Sequence, residues 1–495
     1  MPIQFDNATP HEAHRTDTID QHGELFHAVI AKLSYRIKAA GLVAEPAATP
    51  LHTDDVPYAK LNQSSIEYES DLAPFKLRTD VILNATATAP QGKAAHRFQV
   101  RLRVGLADTP APLPPEPAGL NQFRSASKEA LEKWRKAVKH AKTQTIPGKQ
   151  YIDKTLTIIG PRFLQKNGAL LKMVDGVTFA STAGLVRSNP WMLTTPQMLK
   201  QLPLRYEYAF GGQCRIEADD PAARKVPNKH WLTPAQCGQH PDKEKPPIAH
   251  TACETNPLGC GYATEWYINA RQPEKIAAPQ IEHPQAPFTA DLFWEALRGK
   301  TKPGEPALQP QGLGFVGRAW LPRRDLIGPV EEKKEWAEDD MPQLPKTFDF
   351  GYWNGAPRDQ QTPYLEGNEI IELTNLCAPD HPAASIDQNG NTVLRFSLPG
   401  DRLYLALGDV QQRIGTRLMT LDTITVDPED NRVDVVWRGV VSARAQLTNM
   451  ELRVNRAADR QQLDDLMAML QTGEPGKQGK QGKQSAPAAK RSAHG

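Results

Sequence analysis

The stretch FQVRLRV, residues Phe98 to Val104, alternates strictly between apolar and polar side chains. Because successive side chains of a β-strand point to opposite faces, this alternation places the four apolar residues on one face and the glutamine and both arginines on the other. Such a pattern is typical of a strand with one face in the core and one face in water. It predicts a half-buried strand of an antiparallel sheet.

Short apolar or alternating runs of the same kind recur along the chain. They predict further strands at Phe26 to Ile37, Thr79 to Ala89, Thr155 to Ile159, Leu204 to Phe210, Val393 to Ser397, Arg402 to Leu407, Thr423 to Val426 and Val433 to Val441. The 43 prolines and 34 glycines among 495 residues suit many short elements better than long helices. We therefore predict a mainly β fold, with antiparallel sheets in a sandwich or open-barrel arrangement, an inserted helix and a C-terminal helix.

The inserted helix is predicted at SKEALEKWRKAVKHAK, residues Ser127 to Lys142. Ser127 suits the N-cap, and Leu131, Trp134, Val138 and Ala141 form a narrow apolar stripe. Its six basic against two acidic residues suit either a partner-binding surface or an ordinary solvated helix face. A shorter helix is predicted at Asp291 to Gly299, and a last one at Arg456 to Leu470.

The domain organisation predicted from these elements is one β-rich domain over residues 1–455. It contains a proline-rich and basic-helix insertion at 105–150 and a long irregular surface region at 213–346. The C-terminal helix at 456–470 follows. Residues 471–495 have no large apolar side chain, and from Glu474 onward they hold five basic residues against one acidic, which predicts a disordered basic tail.

Composition narrows the class of protein. The 59 Lys and Arg residues nearly balance the 57 Asp and Glu residues, so nothing suggests a nucleic-acid partner. Five cysteines are too few, and odd in number, for a disulfide framework. The N-terminus has no basic and apolar leader, and no run of about 18 apolar residues occurs. We expect a cytoplasmic protein without a membrane span.

Common enzyme signatures are absent from the sequence, including the G-x-S-x-G elbow, the phosphate loop and H-E-x-x-H. The stretch GLGFVG (312–317) resembles a dinucleotide turn only superficially, because Pro322 prevents the helix that would have to follow it. We predict no catalytic residue and no cofactor. The strongest chemical candidate is the set Cys237, His240, His250 and Cys253, whose paired C-x-x-H and H-x-x-C spacing would suit tetrahedral zinc. A structural site, a zinc-dependent hydrolase and four unconnected loop residues all remain open.

An acidic cluster offers a second, weaker candidate. Glu67, Glu69 and Asp71 alternate in SIEYESD, which favours one solvent-facing side of a strand over a hydrolytic carboxylate pair. Lys76 and Arg78 follow and could pair with these carboxylates. The loop aromatics Tyr352, Trp353 and Tyr364 suggest a third possibility, a carbohydrate-binding or structural component, if their rings are exposed rather than packed.

Several segments taken together resemble one specific family. They are SSIEYESDLAPFKLRTDVILNATATA (64–89), IIGPRF (158–163), PLRYEYAFGG (203–212), NPLGCGY (256–262), IEHP (281–284), GLGFVGRAWLPRR (312–324), FDFGYWNGAPRDQQ (348–361), YLEGNEIIELTNL (364–376) and LDTITVD followed by VVWRG (421–439). In this order they resemble domain of unknown function 2169, a family that accompanies bacterial type VI secretion clusters.

The resemblance implies a non-enzymatic adaptor or chaperone that binds a secreted effector in the cytoplasm and helps load it onto the spike of a type VI secretion machine. The positions matching the family pattern include Asp71, Lys76, Asp80, Arg162, Arg205, Phe210, Gly211, Gly212, Asn256, Trp320, Arg323, Asp349, Asn354 and Trp437. Most are turn formers or charged groups suited to buried pairs, so a scaffold role is the simpler interpretation. One general mode of recognition open to such a client is the addition of a strand to an exposed sheet edge.

Overall fold

A computed structural model of the chain describes residues 3–20, 22–47, 49–115, 128–166, 189–240, 242, 245–329, 344–457 and 459. Its strands, in chain order, are β1 (Gln4–Asn7), β2 (Glu12–Ile19), β3 (Leu25–Lys38), β4 (Gly41–Ala44), β5 (Val56–Pro57), β6 (Ile66–Tyr68), β7 (Thr79–Leu83), β8 (Thr86–Thr88), β9 (Arg97–Gly105), β10 (Thr109–Pro110), β11 (Thr145–Ile146), β12 (Gln150–Ile159), β13 (Phe163–Lys166), β14 (Trp191–Leu193), β15 (Gln201–Pro203), β16 (Phe210–Gly211), β17 (Gln213–Ile216), β18 (Ala249–Ala252), β19 (Cys260–Gly261), β20 (Lys275–Ala277), β21 (Ile281–Glu282), β22 (Gln361–Thr362), β23 (Ile370–Thr374), β24 (Ala384–Ile386), β25 (Thr392–Ser397), β26 (Arg402–Asp409), β27 (Ile414–Leu418), β28 (Thr420–Asp427), β29 (Arg432–Ser442) and β30 (Leu447–Asn455).

The described residues also form four α-helices, α1 (Lys128–Ala141), α2 (Pro234–Gln239), α3 (Glu265–Arg271) and α4 (Ala290–Leu297). Short 3₁₀ turns occur at Pro90–Gly92, Tyr206–Tyr208, Pro221–Lys225, Asn228–His230, Pro306–Leu308, Arg324–Ile327, Phe350–Trp353, Arg358–Gln360 and Ala443–Ala445. No helix in the described part of the chain has the length and apolar character that crossing a membrane requires.

Three larger sheets organise the strands. The seven-stranded sheet has the order β2-β3-β29-β28-β7-β22, with β4 added to β3. The six-stranded sheet has the order β21-β12-β9-β23-β25-β24, and the four-stranded sheet has the order β1-β30-β26-β27. Most neighbours are antiparallel, although β7 runs parallel to β28 and β1 runs parallel to β30. No described sheet closes into a barrel, which confirms the predicted mainly β fold with antiparallel sheets.

The sequence LFHAVIAKLSYRIK of β3 explains how this strand serves two layers at once. Val29, Ala31 and Leu33 alternate along it and belong to the main apolar core. The intervening Lys32 and Ser34 are also buried, but on the opposite face. The seven-stranded sheet is therefore covered on both faces, by an apolar layer on one side and by a polar layer on the other.

The main core joins the three sheets. Its apolar side chains come from β3, β7, β28 and β29 of the seven-stranded sheet, from β9, β12, β23 and β25 of the six-stranded sheet, and from β26 and β30 of the four-stranded sheet. In β9, the residues Phe98, Val100, Leu102 and Val104 are all buried, as the alternation in FQVRLRV predicts. Burial of each such side chain contributes roughly 1.5–3 kcal/mol, so these strands hold the fold together.

Two predicted helices are confirmed, since α1 (Lys128–Ala141) lies within the predicted Ser127 to Lys142 and α4 covers most of Asp291 to Gly299. The predicted N-cap, Ser127, lies outside the described residues. The predicted strand at Thr79 to Ala89 is present but interrupted, giving β7 and β8. The C-terminal helix and the basic tail fall almost entirely outside the described residues. Within 213–346 the described residues form α2 to α4, short ladders and two small apolar clusters, one around Cys214 and Trp266 and one around Phe288 and Phe293.

The predicted strand at Leu204 to Phe210 is wrong. Residues Tyr206–Tyr208 form a 3₁₀ turn instead, and only Phe210–Gly211 pairs as a strand. The side-chain amide of Asn256 donates to the carbonyl oxygens of Tyr206 (2.8 Å) and Phe210 (3.0 Å). These two bonds satisfy the carbonyls of a turn, so a residue about fifty positions away decides the local conformation.

Candidate functional site

The outer face of the seven-stranded sheet carries a buried network of charged side chains. The Nζ atom of Lys76 lies 3.0 Å from Oδ2 of Asp80 and donates to Oγ1 of Thr423 at 2.8 Å. All three residues are buried. Removing two opposite charges from water is costly, and it is tolerated where the charges are paired and hydrogen-bonded, as they are here.

The Asp80 carboxylate also fixes a distant segment of chain. It accepts hydrogen bonds from the backbone N–H of Gly355 (2.8 Å) and from the side-chain amide of Asn354 (3.1 Å). The same amide donates to the carbonyl of Arg78, and the Asn354 carbonyl oxygen accepts from the N–H of Leu77. The segment around Asn354 is therefore attached to β7 by side chains that the sequence places 274 residues apart.

Two further ion pairs extend this network along the same face. Lys32 of β3 donates to Asp71 at 3.1 Å, and Arg438 of β29 pairs with Asp422 of β28 at 2.5 Å. Arg438 also donates to the backbone carbonyl of Asp71 at 3.0 Å. The segment that contains Asp71 is thereby held on the sheet from two strands.

The expectation that Glu67, Glu69 and Asp71 form a solvent face is wrong. Glu69 is only 6% exposed and forms a two-bond ion pair with Arg323, and Asp71 is bound to Lys32. Lys76 bonds to Asp80 rather than to this cluster. The alternation in this short stretch gave no indication that cations from distant parts of the chain would pair with its carboxylates.

Arg323 connects the buried charged network to the loop that contains Tyr352. Besides Glu69, its guanidinium donates to the carbonyls of Tyr352 (2.8 Å) and Val316 (2.6 Å). Arginine suits this position because its planar group presents several donors in fixed directions. One side chain thus ties together three segments that are far apart in sequence.

A second polar centre surrounds Asn256. Besides its two bonds to the turn at Tyr206–Tyr208, its backbone carbonyl accepts from the N–H of Gly212 at 2.8 Å. Gly211 has a φ of +148°, and a Cβ atom there would overlap the backbone oxygen of Asn256. Glycine is required at this point because the two backbones approach so closely.

A groove of about 690 Å³ lies between the two polar centres. Its walls include Arg323 and Asn354 from the first centre, and Tyr206 and Thr255 from beside the second. Further lining residues are Leu77, Arg78, Gln309, Pro310, Val316, Leu321, Pro322, Leu326, Asp349, Gly351, Ala356, Pro357, Arg358 and Gln361. We call it the arginine groove, after Arg78, Arg323 and Arg358.

The arginine groove has a positive lining. The Arg323 charge is balanced by Glu69, but the exposed guanidinium groups of Arg78 and Arg358 have no hydrogen-bond or ion-pair partner among the described residues. Asp349 is the acidic lining residue, and its carboxylate already accepts from the N–H of Gly351 at 2.8 Å. The groove therefore presents two available cations on walls fixed by buried ion pairs.

Of the four candidate zinc ligands, the two cysteines have separate local partners, whereas the two histidine rings contact each other. The thiol of Cys237 points to backbone carbonyls, and that of Cys253 contacts the hydroxyl of Thr255 at 3.3 Å. The rings of His240 and His250 are edge to face, 5.1 Å between centroids, while Nε2 of His250 lies 2.9 Å from the side chain of Gln213. Among the described residues, no three His, Cys, Asp or Glu side chains are grouped as a metal site requires.

The environments of three cysteines do not favour nucleophilic chemistry. Burial raises the pKa of the Cys260 thiol to about 12 and that of Cys377 to about 11, and it also raises the pKa of Cys214. A thiol nucleophile needs the opposite shift, because the thiolate is the reactive form.

Of the three loop aromatics, Tyr352 and Trp353 are packed together, whereas Tyr364 is 37% exposed. The ring of Tyr352 meets those of Phe348 and Trp353 at centroid distances of 5.7 and 5.2 Å, and the Arg323 guanidinium lies over it at 5.5 Å. The hydroxyl of Tyr364 donates to the backbone carbonyl of Lys76. These contacts fix the loop against the polar network.

The other family-pattern positions also have structural partners. Arg162 pairs with buried Glu282, and Arg205 lies 3.9 Å from the ring centroid of Tyr58. Trp320 packs edge to face on Tyr206, and Phe210 contacts Phe288. Trp437 is buried in the main core.

Some important residues escaped the sequence analysis. Lys32 and Asp434 lie in apolar strand sequences, and Asp434 accepts from Ser34 at 2.8 Å. Lys154 is buried in β12 and donates to Asp359 and Gln360. The sequence did contain one sign of these residues, namely a charged residue inside an otherwise apolar strand. Such a charge must be paired if the strand is covered on both faces.

The comparisons with known proteins identify the class. The sequence pattern of domain of unknown function 2169 (DUF2169), described as an uncharacterized protein conserved in bacteria, matches residues 22–111 and 140–438. The chain belongs to this family. No curated protein matches the chain. No solved structure matches it either.

Proposed function

We propose that this protein is a non-enzymatic adaptor or chaperone, which binds a type VI secretion effector in the cytoplasm and helps load it onto the secretion spike. The family resemblance supports the link to type VI secretion. The observation that carries the proposal is the arginine groove, a large recess with fixed walls and two available cations.

The distribution of roles among the family-pattern residues supports a binding rather than a catalytic function. Lys76, Asp80, Arg323 and Asn354 are used in ion pairs and hydrogen bonds that fix the groove walls. A pre-formed recess lowers the entropic cost of binding, because the walls need not be ordered when the partner arrives. An acidic surface of the effector complements Arg78 and Arg358.

The test is affinity capture of the full-length chain from the bacterium that encodes it, followed by mass spectrometry. We expect one dominant effector together with a spike protein. The charge reversal Arg358→Glu should lower effector recovery at least tenfold. The matched control is Arg224→Glu, since Arg224 is an exposed arginine that does not line the groove.

Absence of any effector with the wild-type chain would contradict the proposal. Equal recovery with Arg358→Glu and Arg224→Glu would exclude the arginine groove as the binding surface. The metal content of the captured chain is measured in the same preparation. One equivalent of zinc without an effector would favour the zinc-dependent hydrolase instead.

A further inference from the structure

The edge of the four-stranded sheet is open at β27. This strand, Ile414–Leu418, pairs with β26 on one side. In the described part of the chain, no strand pairs with its other side. An uncovered edge is a template on which another chain can add a strand.

The hydrogen bonds of the β26–β27 ladder show which backbone groups are free. The N–H of Asp409 donates to the carbonyl of Arg413, and the N–H of Met419 donates to the carbonyl of Leu403. Along an antiparallel pair, only every second residue bonds to the neighbouring strand. Arg413, Gly415, Arg417 and Met419 therefore point their backbone groups at β26. The N–H and C=O groups of Ile414, Thr416 and Leu418 therefore point outward.

One face of β27 carries two exposed aliphatic side chains. Ile414 is 87% exposed and Leu418 is 64% exposed, and both lie on the same face of the strand. Proteins usually blunt a free edge with charges, prolines or bulges, because exposed apolar strands aggregate. An edge that keeps two large aliphatic side chains in water is better explained by a partner that covers them.

A hollow of about 460 Å³ adjoins the other face of β27. Its apolar walls include Phe26, Phe75, Phe350 and Val440. Arg417 of β27 and Asp20 also line it, and the Asp20 carboxylate already accepts from the N–H of Glu24 at 2.9 Å. β29 continues to Ser442, whereas β28 begins opposite Arg438. The last residues of β29 therefore have no β28 neighbour, and the hollow lies beside them.

Gly415 leaves open space on this face of β27. It lies two residues from Arg417, hence on the same face, and a Cβ atom built on it would meet nothing within 4 Å. A side chain of an added strand placed opposite Gly415 therefore has room to enter the hollow.

The arginines of β27 and of the turn before it indicate which charge the added strand should carry. Arg413 is already bonded to Asp409 at 2.7 Å. Arg417 is exposed and has no hydrogen-bond or ion-pair partner among the residues described. A carboxylate on the added strand, opposite Arg417, would complete this position.

We propose that β27 receives an added β-strand from the client effector. The occupant is an extended segment that pairs with Ile414, Thr416 and Leu418, inserts an apolar side chain opposite Gly415 and places an acidic side chain opposite Arg417. The identification of the partner as an effector rests on the proposed function. The recognition chemistry rests on β27 alone.

The probe is a synthetic nonapeptide of valine and threonine around a central aspartate, compared with the same peptide carrying a central lysine. Binding to the full chain is measured by fluorescence anisotropy. Thr416→Pro removes an outward N–H without removing a bond to β26, so it should weaken binding of the aspartate peptide at least tenfold. Thr416→Val keeps the N–H and should stay within twofold of wild type.

The charge exchange Arg417→Glu provides the second arm. It should reverse the preference, so that the lysine peptide binds at least fivefold more tightly than the aspartate peptide. Binding unaffected by Thr416→Pro, or no binding of either peptide to the wild-type chain, would overturn the inference. Slow amide exchange at Ile414, Thr416 and Leu418 in the chain alone would also overturn it, because this edge would then be covered by the chain itself or by a second copy.

Effector capture separates this inference from the proposed function. Equal effector recovery with Thr416→Pro and Thr416→Val would overturn strand addition and leave the adaptor function standing. Failure of the wild-type chain to recover any effector would remove the adaptor function, whatever the peptides show.

Discussion

The ammonium group of Lys76 lies 3.0 Å from the carboxylate of Asp80, and both side chains are buried on the outer face of the seven-stranded sheet. The same carboxylate holds the backbone of Gly355 and the side chain of Asn354. This pair therefore connects the sheet to a wall of the arginine groove. The stability of the fold and the shape of the groove therefore both depend on the contact between Lys76 and Asp80.

Lys76→Met should lower the free energy of unfolding by about 3–5 kcal/mol, because it leaves the Asp80 carboxylate buried without its cation. The control is Lys245→Met, which breaks the exposed pair with Asp219 and should cost less than about 1 kcal/mol. Urea unfolding at neutral pH measures both. Equal effects of the two substitutions would contradict a stabilising role for the buried pair.

We expect the free energy of unfolding to depend on pH through the carboxyl group of Asp427. Burial raises the pKa of this carboxyl, so the folded chain binds its proton more tightly than the unfolded chain does. The resulting stabilisation is complete below about pH 4 and is lost as the pH rises through the raised pKa. Asp427→Asn cannot ionise, so its stability relative to wild type should increase from about pH 4 to pH 7.

Asp153→Asn is the control of opposite sign. The hydrogen bonds from Arg101 lower the pKa of the Asp153 carboxyl, so its contribution is present above about pH 4 and is lost as the pH falls through the lowered pKa. This variant should be less stable than wild type at pH 7 and should approach wild type in acid. Urea midpoints measured from acid well below pH 4 up to pH 7 test both variants, and trends of the same sign would contradict the assignment.

Gly211→Ala should destabilise the chain by about 3 kcal/mol or more, because the added Cβ overlaps the backbone of Asn256 at a φ of +148°. Gly238→Ala, in the exposed helix α2, meets no atom within 4 Å and should be neutral or stabilising by up to about 1 kcal/mol. Thermal unfolding distinguishes them. A tolerated alanine at Gly211 would show that the Asn256 centre is not closely packed.

The candidate zinc ligands give a prediction by metal analysis. Because Cys237, Cys253 and His250 have separate partners, the purified chain should hold far less than one equivalent of zinc. His250→Ala should leave both the metal content and the free energy of unfolding nearly unchanged. One equivalent of zinc that is lost in His250→Ala would contradict this expectation.

Local patterns predicted the strands well where alternation alone decides which face is buried. β9 is the clearest case, since its four apolar residues lie in the core as FQVRLRV indicates. The turn at Tyr206–Tyr208 was not predictable in this way, because Asn256 supplies the bonds that replace a strand ladder. Short-range propensity is overridden wherever a distant side chain satisfies the backbone.

The candidate site was predicted only in part. The resemblance named Lys76, Asp80, Arg323 and Asn354 as family positions, but it did not say which residues bond to each other. The Glu69–Arg323 pair joins residues 254 positions apart, and no periodicity in the sequence relates them. The arginine groove is likewise assembled from several distant segments, so it becomes visible only once the chain is folded.

The most direct test of the adaptor function is effector secretion by the bacterium that encodes this protein. The gene is deleted and then complemented with the wild-type chain, with Arg358→Glu or with Arg224→Glu, and the effector is quantified in the medium beside a structural component of the secretion machine. We predict that the deletion and Arg358→Glu abolish effector secretion while the structural component is still released, and that Arg224→Glu restores secretion. Undiminished effector secretion in the deletion strain would contradict the account.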